Sequence, residues 1–161
     1  MRYSQSTELA LDSLFFIAAH PEKIDFSVDE VANAQRVSIS YLAKIFQQLS
    51  KAGILRSHRG AKGGYSLGRS TREITLLDIA RVCEGTSPLY DCNALAKNCN
   101  LGPNCLVVST FRKAELAMEE VLSGVSLEDL VNTLPGSSGL AEWIGVEEKG
   151  SAATTPDSQS A

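Results

Sequence analysis

The chain has 161 residues, of which 43% are hydrophobic and 21% are charged. This length suits about one globular domain of the usual ~100 to 200 residues. The longest apolar stretch, residues 9–19, is interrupted by Asp12 and Ser13, and it is much shorter than the ~20 residues of a membrane span. The N-terminus lacks the pattern of a secretory signal. We therefore expect a cytoplasmic protein that neither spans nor binds a membrane.

The charges are distributed unevenly, although the net charge is only −4. Residues 36–72 contain eight basic residues and no Asp or Glu, whereas residues 83–161 contain four basic and eleven acidic residues. A segment with a charge of +8 in an acidic chain indicates a surface that binds a polyanion such as DNA. The alternative is a basic face that is merely exposed to solvent.

The apolar spacing predicts three helices near the N-terminus. A first helix over residues 5–20 ends before Pro21, and the capping-box sequence from Ser27 to Glu30 predicts a short second helix over residues 28–34. After a turn at residues 35–38, a third apolar pattern ends at Gly53. A short helix, a four-residue turn and a longer helix have the spacing of a helix-turn-helix, whose second helix enters the major groove.

A β-hairpin is predicted directly after the third helix, over residues 54–69, which we call the wing. Its central segment, residues 60–64, is rich in glycine, and arginines and a lysine surround it. Glycine lets backbone amides approach phosphates closely. Hydroxyl and basic side chains at the start of the third helix and in the wing are the predicted DNA-binding residues. They are Ser38, Ser40, Tyr41, Lys44, Arg56, Arg59 and Lys62.

The second half is predicted to hold a further helix capped by Thr75, an irregular loop, a long helix and a short helix. The long helix has more apolar surface than one core needs, so we expect it to form a homodimer. The fold class is thus mainly α with a small β-hairpin wing, a winged helix-turn-helix joined to a long dimerisation helix. The expected regions are 1–84 for DNA binding, 85–106 for a cysteine-rich loop, 105–135 for dimerisation, and 146–161 for a disordered tail.

Three of the four cysteines, Cys92, Cys99 and Cys105, lie within fourteen residues of loop. Three soft thiolates can converge on an iron-sulfur cluster, zinc or copper(I). Structural zinc sites usually pair their cysteines as C-x2-C, which this loop lacks, and the thiols can also be ordinary free cysteines. The fourth cysteine, Cys83, lies on the preceding helix and is expected to be a small buried side chain.

A fourth cluster ligand must come from outside the loop. His20 ends the first helix and His58 lies in the wing, and both are expected to contact solvent or phosphate. Glu8, in the first turn of the first helix, is a candidate ligand, which a dimer would allow to act from the partner protomer. Its alternative role is that of a surface acid near a helix N-terminus.

These motifs resemble a known family, the Rrf-two-type winged helix-turn-helix transcriptional regulators to which IscR, NsrR and RirA belong. The resemblance covers roughly residues 1–135 and rests on four motifs besides the spaced cysteines. They are SYL at 40–42, LSKAGIL at 49–55, RGAKGGYSL at 59–67 and ITLLDI at 74–79. It implies a homodimeric repressor or activator with a 2Fe-2S or 4Fe-4S cluster whose redox state, loss or nitrosylation changes its affinity for DNA.

Two positions depart from the IscR-like members of that family. Those members carry a histidine three residues after the third cysteine, where this chain has Val108, so ligation of that type is not expected. In some relatives an acid early in the first helix completes the cluster across the dimer, and Glu8 matches that position. Ala43 replaces a glutamate of IscR-like proteins, so their target preference does not transfer.

The sequence thus predicts a DNA-binding regulator that responds through its cluster to iron, redox or nitric oxide status, binds an operator in double-stranded DNA and has no small-molecule substrate. A cluster-free regulator of the same family, using thiol oxidation or zinc, is the alternative. We do not expect an enzyme, because neither histidine lies in a motif that activates a cysteine nucleophile. A protein-interaction adaptor that kept the fold but lost DNA binding is a further alternative, and the charge of +8 in residues 36–72 argues against it.

Overall fold

A computed structural model describes residues 3–58, 63–92 and 105–133. It is mainly helical, with one two-stranded antiparallel sheet among these residues. The elements in chain order are α1 (Gln5–Ala18), α2 (Val28–Gln35), α3 (Ile39–Lys51), β1 (Leu55–His58), β2 (Gly64–Leu67), a 3-10 turn (Thr71–Glu73), α4 (Leu76–Glu84), α5 (Leu106–Ser123) and α6 (Leu127–Asn132). The predicted fold class is confirmed.

The turn between α2 and α3 is tight and contains a strained residue. Arg36 ends α2 with φ 55°, in the left-handed region that non-glycine residues rarely adopt. The Ser27 hydroxyl accepts a hydrogen bond from the Glu30 amide (3.1 Å), as predicted. The reciprocal half of the predicted capping box does not form, because the Glu30 carboxylate pairs with Lys23 instead.

Helix α3 is strongly amphipathic. Its apolar side chains face the core, each at most 2% exposed, because they recur at intervals of three and four residues. These core residues are Leu42, Ile45, Phe46 and Leu49. The helix ends at Lys51 with Ala52 as its C-cap, and Gly53 follows with φ 72°, the left-handed conformation predicted for it.

The wing packs directly against α3. The Tyr65 ring meets the Phe46 ring edge-on, with 5.0 Å between the ring centroids. Phe26 adds a bridge on the other edge of β2, where its amide donates to the Tyr65 carbonyl (2.9 Å) and its carbonyl accepts from the Tyr65 amide (2.8 Å). The Gly68 amide donates to the Ile54 carbonyl (2.8 Å) and closes the base of the hairpin. The wing is therefore fixed relative to α3.

Helices α4 and α6 complete the core around α1. Thr75 and Ser126 each form a full capping box at the start of these helices, and the two residues bridge each other. The Leu127 amide donates to the Ile74 carbonyl (2.8 Å), and both side chains are completely buried. Residues from distant parts of the chain therefore form one hydrophobic core with α3.

Helix α5 contributes little to this core. Glu115 is the only buried residue of α5, and its carboxylate pairs with Arg112 (2.9 Å). Large apolar side chains of α5 point outward instead. Leu106 is 77% exposed and Val121 is 70% exposed. None of the helices in the described ranges is long and apolar enough to span a membrane.

Candidate nucleic-acid interface and cysteine site

The N-terminal end of α3 presents the hydroxyl and basic side chains that the sequence singled out. Ser38, Ser40, Tyr41 and Lys44 are all exposed. Ser38 precedes the helix but does not cap it, since its hydroxyl is hydrogen-bonded to that of Ser40 (2.9 Å). Because Ser40 and Lys44 are four residues apart, they lie on one face of the helix, opposite the buried face. This face offers hydroxyls and a cation to a ligand.

Tyr41 lies at the flank of this face and is held from outside α3. Its hydroxyl is 2.8 Å from the hydroxyl of Ser6 on α1, and the residue is 37% exposed. The phenol group is thus held in place while still reachable from solvent. Sequence reasoning did not identify Ser6.

The basic residues of the segment 36–72 fall into two groups. Within the described part of the chain, Arg36, Lys44, Lys51 and Arg56 are exposed and form no ion pair. Arg69 instead pairs with Asp78 (3.5 Å), and Arg72 pairs with Glu128 (2.7 Å). The unpaired cations keep their full charge for an anionic ligand, whereas the two paired arginines support the fold.

The wing places Arg56 on β1, opposite Ser66 of β2. The neighbouring His58 ring lies 2.8 Å from the Ser66 hydroxyl and 3.5 Å from the Asp25 carboxylate. The predicted wing residues Arg59 and Lys62 lie outside the described residues.

Cys92 and Cys105 are free, partly buried thiols of the cysteine loop, residues 85–106. Cys105 is the residue directly before α5, and Cys92 follows two residues after Tyr90. The Tyr90 and Phe111 rings are stacked with 4.7 Å between their centroids. This stacking holds the described start of the loop against the second turn of α5, and Cys105 directly precedes that helix. Cys99 lies outside the described residues.

These two thiols suit an iron-sulfur cluster in their chemistry. Soft thiolates bind such clusters, and the N-terminus of a helix favours nearby negative charge. Within the described residues, no three histidine, cysteine or acidic side chains come together at a possible metal site. Glu8 is exposed in the first turn of α1, in a cleft lined also by Tyr3, Ser4 and Gln5.

His20 differs from the expectation that both histidines contact solvent or phosphate, whereas His58 is exposed as expected. His20 is partly buried, its Nδ1 lies 2.7 Å from the Phe16 carbonyl, and its ring packs against the rings of Phe16 and Phe26. The four-residue spacing between Phe16 and His20, just past the end of α1, was a signal for this contact. Sequence reasoning also missed the role of Glu84, whose carboxylate contacts the residues that begin α1.

Cys83 is a partly buried residue that packs against the core, as expected. Its Sγ lies 3.6 Å from the Ser6 carbonyl. Burial raises the pKa of its thiol, and the nearby Glu84 carboxylate adds to this, whereas a hydrogen bond with Thr7 opposes it. A thiol that resists ionisation is a poor nucleophile and a poor metal ligand.

Comparisons with known proteins identify a family and several relatives that this chain resembles. The Rrf2 family, described as iron-dependent transcriptional regulators, matches residues 3–133. Protein aau3 of Rhizobium meliloti (strain 1021) is 36% identical over 149 residues, which cover 92% of this chain and 94% of that protein. The transcriptional regulator NsrR of Shouchella clausii is 29% identical over 81% of this chain and 89% of its own length.

Solved structures show the same similarity. CymR, the global cysteine regulator of B. subtilis, has a TM-score of 0.64 and 28% identity over 82% of this chain and 97% of its own. IscR of T. potens has a TM-score of 0.63 and 30% identity over 82% of this chain and 87% of its own. The family model spans the helix-turn-helix, the wing, the cysteine loop and α5. The chain belongs to the Rrf2 family of transcriptional regulators.

Proposed function

We propose that this protein is a homodimer that binds operator DNA through α3 and the wing, and that an iron-sulfur cluster on Cys92, Cys99 and Cys105 controls its operator affinity. The observation that carries the DNA-binding part is the exposed face of α3, which has hydroxyls and an unpaired lysine beside a wing fixed to the same helix. Residues 1–84 would bind DNA, 85–106 would bind the cluster and 105–135 would form the dimer, with 146–161 as a tail.

On DNA, the two kinds of side chain have different tasks. Ser38, Ser40 and Tyr41 offer hydroxyl groups to base edges or phosphates at the N-terminal end of α3. Lys44 and Arg56 neutralise phosphates and release counterions. Arg59 and Lys62 would add cations from the wing. The family membership supports DNA binding, because the family and its relatives are described as transcriptional regulators.

The exposed apolar side of α5 supports the homodimer. Large apolar side chains near both ends of α5, including Leu106 and Val121, are largely exposed in the single chain. A second copy of α5 packed against them would remove this surface from water. A two-fold dimer places two α3 helices on two half-sites, so we expect a pseudo-palindromic operator.

The cluster is supported by the two described free thiols of the loop, Cys92 and Cys105, and by the family's description as iron-dependent. A 2Fe-2S or 4Fe-4S cluster, when bound, supplies a centre sensitive to redox state, iron supply and nitric oxide. The stacked rings of Tyr90 and Phe111 hold the described start of this loop against α5. Glu8 from the partner protomer is the candidate fourth ligand. We place the protein in the cytoplasm, where thiols stay reduced.

A cluster-free regulator that works through thiol oxidation or zinc is the second candidate. It is favoured by the likeness to CymR, whose solved structures include an oxidized form. In this case Cys92 and Cys105 would act as free thiols of the loop.

Spectra of protein purified without oxygen distinguish the two candidates. Ultraviolet-visible and Mössbauer spectra with iron and sulfide counts are recorded for the wild type and for Cys92→Ala, Cys99→Ala and Cys105→Ala, with Cys83→Ala as the matched control. A coloured cluster lost in the first three variants and kept in the control supports the cluster. A colourless protein that cannot be reconstituted contradicts it and leaves the thiol or zinc regulator.

Operator binding is tested separately, on duplexes selected in vitro from a random library by the wild-type protein. We expect binding that weakens steeply with salt, because phosphate contacts release counterions. Equal affinity of the wild type and Cys99→Ala for the operator would contradict control by the cluster while leaving DNA binding intact. Failure to select any duplex would contradict DNA binding itself.

A further inference from the structure

The N-terminus of α1 is held by a side chain from the end of α4. Ser4 stands directly before α1 but makes no side-chain cap of its own. Instead, Glu84 Oε1 accepts hydrogen bonds from the Ser4 amide and the Ser4 hydroxyl, both 2.7 Å, and another from the Thr7 hydroxyl. A carboxylate suits this place, because the first turn of a helix has unpaired amides and a positive dipole end.

Glu84 is the last residue of α4, and the cysteine loop begins after it. Gly85 follows with φ 79°, a left-handed conformation that turns the chain out of the helix. Along the backbone, the loop joins α4 at Gly85 and Glu84, in addition to the contact that Tyr90 makes with Phe111 of α5. Glu84 in turn contacts the residues that begin α1.

The same turn of α1 contacts the recognition helix α3. Ser6 is one residue away from Thr7, and its hydroxyl lies 2.8 Å from the Tyr41 hydroxyl. When Ser6 is the donor, the Tyr41 oxygen accepts and the phenol proton remains free. A phosphate oxygen only accepts hydrogen bonds, so a Tyr41 that keeps its proton available is able to bind it. A phenol that accepts one hydrogen bond is also a stronger donor of another.

We propose that Ser6 and Glu84 are positioning residues for operator recognition, and that the first turn of α1 connects the start of the cysteine loop to Tyr41 on α3. Glu84 fixes the position of this turn, and Ser6 fixes the position and the free proton of the Tyr41 hydroxyl. The inference rests on the proposed operator binding and adds the route by which the loop acts on it.

A double-mutant cycle between Ser6 and Tyr41 tests the contact. Operator and non-specific duplex affinities are measured for anaerobically purified wild type, Ser6→Ala, Tyr41→Phe and the double variant. Alanine is a good helix former, so Ser6→Ala keeps α1 intact. We expect Ser6→Ala to weaken operator binding by about 3-fold to 10-fold, the effect of one hydrogen bond, with non-specific binding unchanged. In the Tyr41→Phe background the further loss should be less than about 2-fold.

Glu84 is tested with a conservative partner variant. Glu84→Ala should lower operator affinity, and Glu84→Gln, which keeps an oxygen that accepts hydrogen bonds, should restore most of it. Glu119→Gln is the matched control, since it breaks the exposed ion pair of Glu119 with Arg81 on the same helix α4 without touching α1. Thermal denaturation of each variant identifies any that are unfolded.

The outcomes separate this inference from the proposed function. A wild-type protein that binds no selected duplex contradicts the proposed function. If the wild type binds its operator but Ser6→Ala binds equally well, or weakens binding equally in both Tyr41 backgrounds, the positioning role is wrong while DNA binding stands. If Glu84→Ala and Glu119→Gln have the same effect, the connection through Glu84 is wrong.

Discussion

Gly68 lies at the base of the wing, where the hairpin returns to the end of α3. A Cβ atom added at Gly68 would lie 2.5 Å from the Gly53 carbonyl oxygen, about 0.9 Å closer than the 3.4 Å at which ordinary contact begins. The obstructing atom belongs to the backbone, so no flexible side chain can move away. We expect Gly68→Ala to cost about 1–3 kcal/mol of unfolding free energy, the range for overpacked sites, and to displace the wing from α3.

Urea denaturation of the wild type and the variant measures the first effect, and operator affinity measures the second. Gly124→Ala is the matched control, because a Cβ there would meet its nearest atoms, the Val121 and Glu120 carbonyl oxygens, at 3.4 and 3.5 Å. The backbone at Gly124 has φ −76°, which alanine adopts freely. We therefore expect Gly124→Ala to be neutral or to stabilise the protein by up to about 1 kcal/mol, through a less flexible unfolded chain.

Alanine should thus destabilise the protein at Gly68 but not at Gly124. If Gly68→Ala is as stable as the wild type and binds the operator with the same affinity, the junction of wing and α3 is looser than described. The idea that packing at residues 53 and 68 fixes the wing would then be refuted.

Three further perturbations probe separate parts of the molecule. Lys44→Gln should make the fall of log affinity with log salt concentration less steep, by about 0.9 in the slope, because one phosphate contact is lost. The change should be the same for operator and non-specific duplex. An unchanged slope would exclude a phosphate contact by Lys44. Hydrogen bonds from Thr7 and Ser4 hold the pKa of Glu84 below its usual value of 4.5. The ionised Glu84 carboxylate therefore stabilises the folded protein fully at pH values above 4.5. This stabilisation is lost as the pH falls through the pKa of Glu84 in the folded state. Thermal denaturation should therefore show wild type more stable than Glu84→Gln at neutral pH, with the difference shrinking in acid; a constant difference would contradict this assignment. Burial raises the pKa of the Cys83 thiol, so iodoacetamide should modify it more slowly than free cysteine at about pH 8, as followed by mass spectrometry, and equal rates would show that the thiol is accessible and ionised.

Most elements of the fold could be predicted from the sequence, because their signals are local. Apolar spacing marks the buried face of α3, and the hydroxyl residues Thr75 and Ser126 each stand three residues before the acid that completes their capping box. The same rule was only half right at Ser27, because the Glu30 carboxylate pairs with Lys23 and not with the Ser27 backbone amide. The 3-10 turn was missed because three residues give no periodic signal.

The site was less predictable, because its contacts join distant parts of the chain. The eight basic residues between positions 36 and 72 indicate a basic surface. They do not indicate that Arg72 pairs with Glu128, which lies 56 residues later in the chain. In the same way, nothing local relates Ser6 to Tyr41 or Glu84 to Ser4, since each pair meets only after the helices have packed. The sequence identified side chains with the right chemistry, whereas packing decided which of them remain free.

The left-handed backbone of Arg36 shows a conflict between stability and binding within a single residue. A side chain in this conformation costs roughly 1–2 kcal/mol, and glycine would adopt it without that cost. Yet Arg36 is an exposed cation without an ion pair in the described chain, two residues before Ser38 at the start of the recognition helix. Arg36→Gly should therefore yield a protein that resists denaturation better and holds its operator less tightly, so selection for thermal stability alone would erode regulation at this turn.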